Sequence, residues 1–369
     1  MRILQVGKYP RIFHGGVEIA IFGLSEYLSQ YAEVQVVVSN INNRRGEVFY
    51  NKIKVDILPR KAVLFSAPIS PELINYLKLN SNFDIIQISL PNPMANLAYL
   101  LARPKAKLVV WYHSDIVGRG IINIIYRPLL YNILKEAAYI VATSDNYLTS
   151  SLVLQKFSHK VIVIPYGVDL TNFDNDECIN ASLVIRERFD SPLILFIGRL
   201  VYYKGLHYLI EAMKEIDAKL VIIGEGPLES KLRLQVGNSK LTHKVFFHKE
   251  GPHESIAKYI YACDIFVLPS MYRSEAFGIV LLEAMACRKP VVTTELGTGT
   301  SFACQNEITG LVVPPKDPKT LAIAIKKILN NPDLARRMGE AGRKRVEENF
   351  TLEKMTEAFL RLYGKVLKE

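Results

Sequence analysis

Short runs of β-branched and apolar residues alternate with longer helix-like segments along this chain of 369 residues, and they do so twice over, which leaves few folds open. In the first half, residues 2–6, 34–39, 84–89, 107–112, 139–143 and 160–165 read as buried strands, each too short and too apolar for a surface helix. Helical patterns such as 17–30 and 71–79 lie between them. The second half repeats the theme at 193–198, 219–224, 245–248, 265–269, 290–294 and 310–313. Strand, helix and strand at this spacing require right-handed crossovers, so each half is expected to build its own parallel sheet. The expected domains are 1–172 and 173–351.

Residues 171–190 break the rhythm with polar and charged side chains, including Asp174-Asn175-Asp176-Glu177, and are expected to be a solvated interdomain connection. Asp174 and Asp176 form an Asp-x-Asp that can hold a divalent metal, but in a linker no metal role is expected of it. The last segment, 352–369, carries Met355, Phe359, Leu362 and Val366 at helical spacing. It must bury that stripe, and packing back on the first domain is one solution.

Hydrophobic residues make up 49% and charged residues 22%, the profile of a soluble globular protein. Residues 1–7 are too short and too quickly polar for a signal peptide, and no run of about 18 apolar residues is present for a membrane span. A cytoplasmic protein is expected. Cys178, Cys263, Cys287 and Cys304 lie far apart without metal-ligand spacing, so reduced, mostly buried thiols are expected, with no metal centre and no cofactor. The formal charge is +10, most of it in residues 1–172. Such an excess either favours an anionic partner surface or is the generally basic surface of a soluble protein. Lipid headgroups are favoured over nucleic acid, because Lys52, Lys54, Arg60, Lys61, Arg103, Lys105 and Lys107 are scattered without interleaved stacking aromatics. The apolar stretch 118–134, bounded by Arg119, Arg127 and Lys135, is either the peripheral contact with such a membrane or an ordinary domain helix.

The chemistry concentrates where strands end. From Glu275 to Glu283 the chain reads E-A-F-G-I-V-L-L-E, two carboxylates around a glycine that opens a helix. The bare N–H groups of a helix start attract an anion such as a diphosphate, here at Phe277, Gly278, Ile279 and Val280. Ionised Glu accepts hydrogen bonds from sugar hydroxyls, so of Glu275 and Glu283 one can reach the sugar while the other meets the ribose. Gly198-Arg199 followed by Lys204-Gly205 puts two cations at another strand end, from which both can converge on one diphosphate without a metal. Gly224-Glu225-Gly226 offers exposed backbone where a base or ribose can rest. Trp111-Tyr112-His113-Ser114-Asp115 ends a first-half strand, with His113 either a satisfied interior histidine or a contact to sugar. The Gly15-Gly16 loop lacks the three glycines of the dinucleotide fingerprint, yet it allows close approach of backbone to ligand.

In this order the pieces resemble the retaining glycosyltransferases of family 4. The likeness runs over nearly the whole chain and also takes in Pro165-Tyr166-Gly167-Val168-Asp169, Gly297-Thr298-Gly299-Thr300-Ser301 and Thr309-Gly310-Leu311-Val312. It implies the GT-B fold, two Rossmann-like domains with parallel sheets facing an interdomain cleft. It implies that Arg199 and Lys204 bind the donor diphosphate, that Glu275 with the amides of Phe277 and Gly278 contacts the sugar, and that Glu283 holds the ribose. His113 would meet a sugar hydroxyl, and Gly16 would border the phosphate. The finer likeness is to mannosyl or rhamnosyl transferases of surface polysaccharide assembly. Expected partners are a nucleoside diphosphate sugar (GDP- or UDP-hexose) and a glycan or lipid-linked acceptor. Two alternatives stay open: a nucleotide-sugar epimerase of the same architecture, or an inactive binding paralogue.

Overall fold

The computed structural model describes the chain except residues 12–14, 65–66, 81, 117–119, 190 and 250–255 and the side chains of 121–125. It divides into two compact units, Met1–Tyr166 together with Leu352–Glu369, and Gly167–Thr351.

The first unit contains β1 (Arg2–Val6), α1 (Gly16–Leu28), β2 (Glu33–Ser39), β3 (Gly46–Tyr50), β4 (Ile53–Leu58), β5 (Ala62–Leu64), β6 (Ala67–Ile69) and α2 (Glu72–Leu79). It continues through β7 (Ile85–Leu90), α3 (Pro93–Ala102), β8 (Lys107–Tyr112), α4 (Gly120–Glu136), β9 (Tyr139–Ala142), α5 (Asp145–Ser150), α6 (Leu152–Lys156) and β10 (Val161–Val163). Its main sheet has the order β10-β9-β8-β7-β1-β2-β4-β3. The central strands are buried on both faces, which is why they read as continuous apolar runs.

The sheet is parallel as expected, with one strand added at its edge, where β3 pairs antiparallel with β4. Both strands escaped a reading tuned to apolar runs: Gly46–Tyr50 alternates half-buried and exposed positions, and Ile53–Leu58 interleaves Lys54 and Asp56 with its apolar residues. Inside the unit the Asp56 carboxylate accepts from Gln35 Nε2 at 2.5 Å and from the Tyr76 hydroxyl at 2.7 Å, so its burial is compensated.

The second unit runs α7 (Asp176–Arg186), β11 (Leu193–Ile197), α8 (Leu206–Ala212), β12 (Lys219–Ile223), α9 (Glu229–Asn238), β13 (Val245–His248), α10 (Ala257–Ala262) and β14 (Ile265–Leu268). It ends with α11 (Ile279–Ala286), β15 (Val291–Thr294), α12 (Gly299–Ala303), β16 (Gly310–Val313), α13 (Pro318–Leu329) and α14 (Pro332–Asn349). Its sheet, β13-β12-β11-β14-β15-β16, is parallel throughout.

One expectation needs correcting: the segment 171–190, expected as an irregular connection, holds a helix, α7, over Asp176–Arg186. Asn175 is the N-cap of α7, accepting from the amide of Glu177 at 2.8 Å, and Asp176 and Glu177 fill the first helical turn. The acidic run is therefore a helix-start signal, since carboxylates complement the positive end of the helix dipole. α7 packs on α10. Asp174 is held bidentately by the Arg343 guanidinium at 2.8 and 2.6 Å, and the same guanidinium bonds Glu347 at 2.6 Å and the Ala286 carbonyl at 2.9 Å. Asp174 thus anchors the entry to the second unit on α14. Among the described residues no cluster of three or more His, Cys, Asp or Glu could hold a metal.

The final helix, α15 (Leu352–Val366), belongs to the first unit and packs on α1. A closed ring of buried hydrogen bonds seats it on the sheet. The Tyr363 hydroxyl donates to Gln87 Oε1 at 2.6 Å, Gln87 Nε2 donates to Gln5 Oε1 at 2.9 Å, and Gln5 Nε2 returns to the Tyr363 oxygen at 3.3 Å.

All four cysteines are free thiols; burial pushes those of Cys263 and Cys304 up to about 12. Among the described residues no helix is long and apolar enough to cross a membrane. Part of the stretch singled out at 118–134 lies outside the described residues. In its remainder, Tyr126, Leu130, Ile133 and Leu134 of α4 are buried.

Candidate active site

In the second sheet the strand order reverses at β11, which has β12 on one side and β14 on the other. Loops leaving the carboxyl ends of such strands open a crevice, the usual ligand position in an open α/β sheet. Here those loops carry Arg199, Lys204 and Gly205 after β11, and Ser270, Glu275 and Gly278 after β14. The backbone ties them together: the Met271 amide donates to the Tyr203 carbonyl at 2.8 Å. Gly205 has φ of 69°, and a Cβ there would stand 2.0 Å from the Pro269 carbonyl oxygen. No other residue satisfies both conditions.

This junction brings Lys204 Nζ to 2.5 Å from Glu275 Oε2, with side chains 11% and 9% exposed. Ser270 Oγ donates to the same carboxylate oxygen at 2.9 Å. The Glu275 main chain is clamped as well, its carbonyl by Thr298 Oγ1 at 2.8 Å and its amide by the Tyr272 carbonyl at 2.9 Å. Burial pulls the Lys204 pKa down, but the charge of Glu275, with Tyr203 and the direct hydrogen bond, outweighs it and holds the ammonium above its usual value.

Lys204, expected on phosphate, and Glu275, expected on sugar, thus stand next to each other. The two side chains pair with each other. An ammonium has three N–H donors, so the bond to Glu275 leaves others for a ligand. Arg199 is exposed, and its charge pushes the Lys204 pKa the opposite way from Glu275, so the two cations are electrostatic neighbours.

Beside the pair, Gly278 caps α11 in the left-handed conformation at φ 79°, and Ile279 and Val280 contribute the first helical amides. The Phe277 side chain is core, edge-on to Phe302 at 6.3 Å and Phe350 at 6.2 Å, which leaves only its backbone for a ligand. Glu283 is buried at 3% exposure, more than one turn into α11.

Gly224-Glu225-Gly226 has a packing duty in this unit. A Cβ at Gly224 would lie 2.1 Å from the Gly198 carbonyl oxygen, and the Leu200 amide bonds the Glu225 carbonyl at 2.9 Å. The glycines let the loops after β11 and β12 touch backbone to backbone, and so hold Gly198 and Arg199 in place. Glu225 itself faces Lys249 at 3.2 Å, both exposed.

In the first unit, β8 delivers His113, whose amide donates to the Leu90 carbonyl at 3.0 Å. The imidazole is 2% exposed, 4.6 Å from the Trp111 ring, and its Nδ1 pairs with the Tyr166 hydroxyl. Nε2 is buried without a hydrogen-bond partner among the described residues. Burial, with the Lys8 charge adding to it, lowers the His113 pKa to about 3, so the ring is neutral.

Asp115 works inside this unit. Its Oδ1 accepts from the Tyr112 and Ser151 hydroxyls, both at 2.8 Å, and its amide donates to the Tyr147 oxygen at 2.6 Å. Gly15 caps α1 and Gly16 is its exposed first residue; the rest of that loop, 12–14, lies outside the described residues. Ser270, Thr298 and Tyr203 of the second unit, and Tyr166 beside His113 in the first, were not singled out individually from sequence, since nothing in their spacing marks them and only contacts within each unit show their partners.

A family profile described as Glycosyltransferase Family 4 matches residues 14–172, and one described as Glycosyl transferases group 1 matches residues 184–345. The O-antigen chain mannosyltransferase C of Escherichia coli is 36% identical over 374 residues, covering 100% of this chain and 99% of its own. The D-rhamnosyltransferase WbpZ of Pseudomonas aeruginosa PAO1 is 35% identical over 360 residues, 95% of this chain and 92% of its own. Among solved structures, sucrose-phosphate synthase from Thermosynechococcus elongatus superposes with a TM-score of 0.84 at 24% identity, covering 100% of this chain and 99% of that one, a likeness of fold. With relatives this similar over their whole length and the strand-end site in place, the chain belongs to the family 4 glycosyltransferases of GT-B fold.

Proposed function

We propose that this glycosyltransferase moves a hexose, mannose or a related sugar, from a guanosine or uridine diphosphate to a hydroxyl of a glycan or lipid-linked oligosaccharide, with retention at the anomeric carbon. The observation that carries the reading is the buried Lys204–Glu275 pair at the strand-order reversal, beside the N-terminus of α11. The second unit takes the donor. Arg199, Lys204 and the amides at Ile279 and Val280 receive the diphosphate and stabilise the charge that grows on it as the glycosidic bond breaks. Glu275, its main chain clamped by Thr298, accepts from sugar hydroxyls, and Glu283 from the ribose. The first unit takes the acceptor and supplies His113.

Retention is supported by family membership and by the lack of an obvious protein nucleophile in the site motifs. A front-face path fits, in which the acceptor attacks an oxocarbenium-like sugar and the departing phosphate takes the acceptor proton. The mannosyl and rhamnosyl relatives favour mannose chemistry.

A thermal-shift panel of nucleotide sugars, followed by single-turnover transfer, tests this. One donor should raise the melting temperature through mass action. Lys204→Ala should weaken binding of the free nucleoside diphosphate and slow transfer. Glu275→Gln should slow transfer by roughly 30- to 1000-fold while keeping diphosphate affinity within a few-fold of the parent. Transfer at the parental rate by Glu275→Gln would sink the assignment.

A further inference from the structure

We infer that Tyr166 fixes the tautomer of His113, holding Nδ1 as an acceptor so that Nε2–H is kept as a buried donor for an oxygen of a bound sugar. The identity of that oxygen rests on the function proposed above; the tautomer does not. Tyr166 is therefore a positioning residue acting through His113.

Three observations lead here. The imidazole touches Tyr166 at Nδ1, with the two rings parallel to within 5° and 5.8 Å apart, so the pairing is built into the packing. In a bond between a neutral phenol and a neutral imidazole, the phenol is the more acidic donor and the imidazole nitrogen the better acceptor, which puts the shared proton on Tyr166 and the ring proton on Nε2. That nitrogen has no partner among the described residues. Leaving a buried donor unpaired is costly, and such groups in a folded protein call for an explanation.

The neighbouring residue on the same face of the strand shows the same deficit. Trp111 Nε1–H, which can only donate, is also buried without a partner among the described residues. Two unpaired donors two residues apart form a local shortage of acceptor atoms. A sugar, rich in hydroxyl oxygens, is the kind of ligand that relieves it.

The assignment has a mechanistic consequence. A neutral His113 with Nε2 already protonated has no free lone pair for the acceptor hydroxyl, so it does not act as the base. That proton goes to the departing phosphate. His113 contributes a hydrogen bond through Nε2–H.

The test is long-range proton–nitrogen correlation NMR on protein labelled with 15N-histidine, using His113→Asn to identify the His113 signals. The parent protein near neutral pH should show Nε2 protonated and Nδ1 bare. Tyr166→Phe should give a mixture of both tautomers and slow sugar transfer roughly tenfold without weakening binding of the nucleoside diphosphate. A proton on Nδ1 in the parent, which needs no variant to fold, would overturn the inference, as would an unchanged pure Nε2–H form in Tyr166→Phe. Finding the expected tautomer while no nucleotide sugar is consumed would uphold the role of Tyr166 and overturn the proposed function.

Discussion

Replacing the two members of the buried pair, singly and together, separates structural from catalytic duty in this site. At 2.5 Å and an effective dielectric near 20, Lys204 and Glu275 attract by about 7 kcal/mol. Each ion is about nine-tenths buried, and desolvation takes back several kcal/mol per ion, so the intact pair is close to neutral in its net effect. Removing one charge is different. Glu275→Gln leaves an ammonium buried without its counter-ion and is expected to destabilise the second unit by about 3–5 kcal/mol. Lys204→Met leaves a carboxylate that keeps its bond from Ser270 Oγ, so about 2–3 kcal/mol is expected.

The double variant removes both problems and should cost at least about 2 kcal/mol less than the sum of the singles. The readout must resolve the second unit. The only tryptophan, Trp111, lies in the first unit, so its fluorescence follows the other part of the molecule. Native-state hydrogen exchange of amides in β14 and α11 measures the relevant stability directly. If each single variant stays within about 0.5 kcal/mol of the parent, or the cycle is additive, the pair is not buried and coupled as described.

Acid should act through His113. Its folded-state pKa is depressed to about 3 against an ordinary value of 6.5, so the unfolded chain takes up the proton first as pH falls. The stability it contributes is whole above pH 6.5 and is lost toward pH 3, with about 2 kcal/mol gone at pH 5. Urea midpoints followed by Trp111 fluorescence at pH 7.5 and 5 should show a smaller acid loss in His113→Asn, and equal losses would refute the assignment. Tyr363→Phe opens the buried ring with Gln5 and Gln87 and should cost about 1–3 kcal/mol. The same fluorescence reads it, because Trp111 packs 5.0 Å from Phe359 on α15, and an unchanged midpoint would count against the ring. Transfer should survive EDTA, since Arg199, Lys204 and the α11 amides neutralise the leaving group; loss restored by magnesium or manganese would show otherwise. Excess positive charge in residues 1–172 should favour cosedimentation with anionic over neutral vesicles, weakening with salt, and equal binding to both would remove the electrostatic case.

The strands of both sheet centres and the motifs at their ends were legible from order and spacing alone. A strand buried on both faces leaves an apolar run between turn residues, and the loop that follows it is where an α/β sheet collects polar groups. Those are local properties. The edge pair β3–β4 was not legible, because half-exposed strands carry charges that break the run, and the run Asp174-Asn175-Asp176-Glu177 was ambiguous between a linker and a helix start. Three pairings lay beyond reach of any pattern: Lys204 with Glu275, Asp174 with Arg343, and Tyr166 with His113. Each joins segments distant in the chain through loops whose meeting depends on strand order, and strand order is set by how whole helices and strands bury one another. Periodicity specifies which face of an element is apolar. Which two polar groups then share a desolvated space follows from the packing of those faces, and here that packing pairs a lysine with the glutamate and leaves one histidine nitrogen without a partner among the described residues.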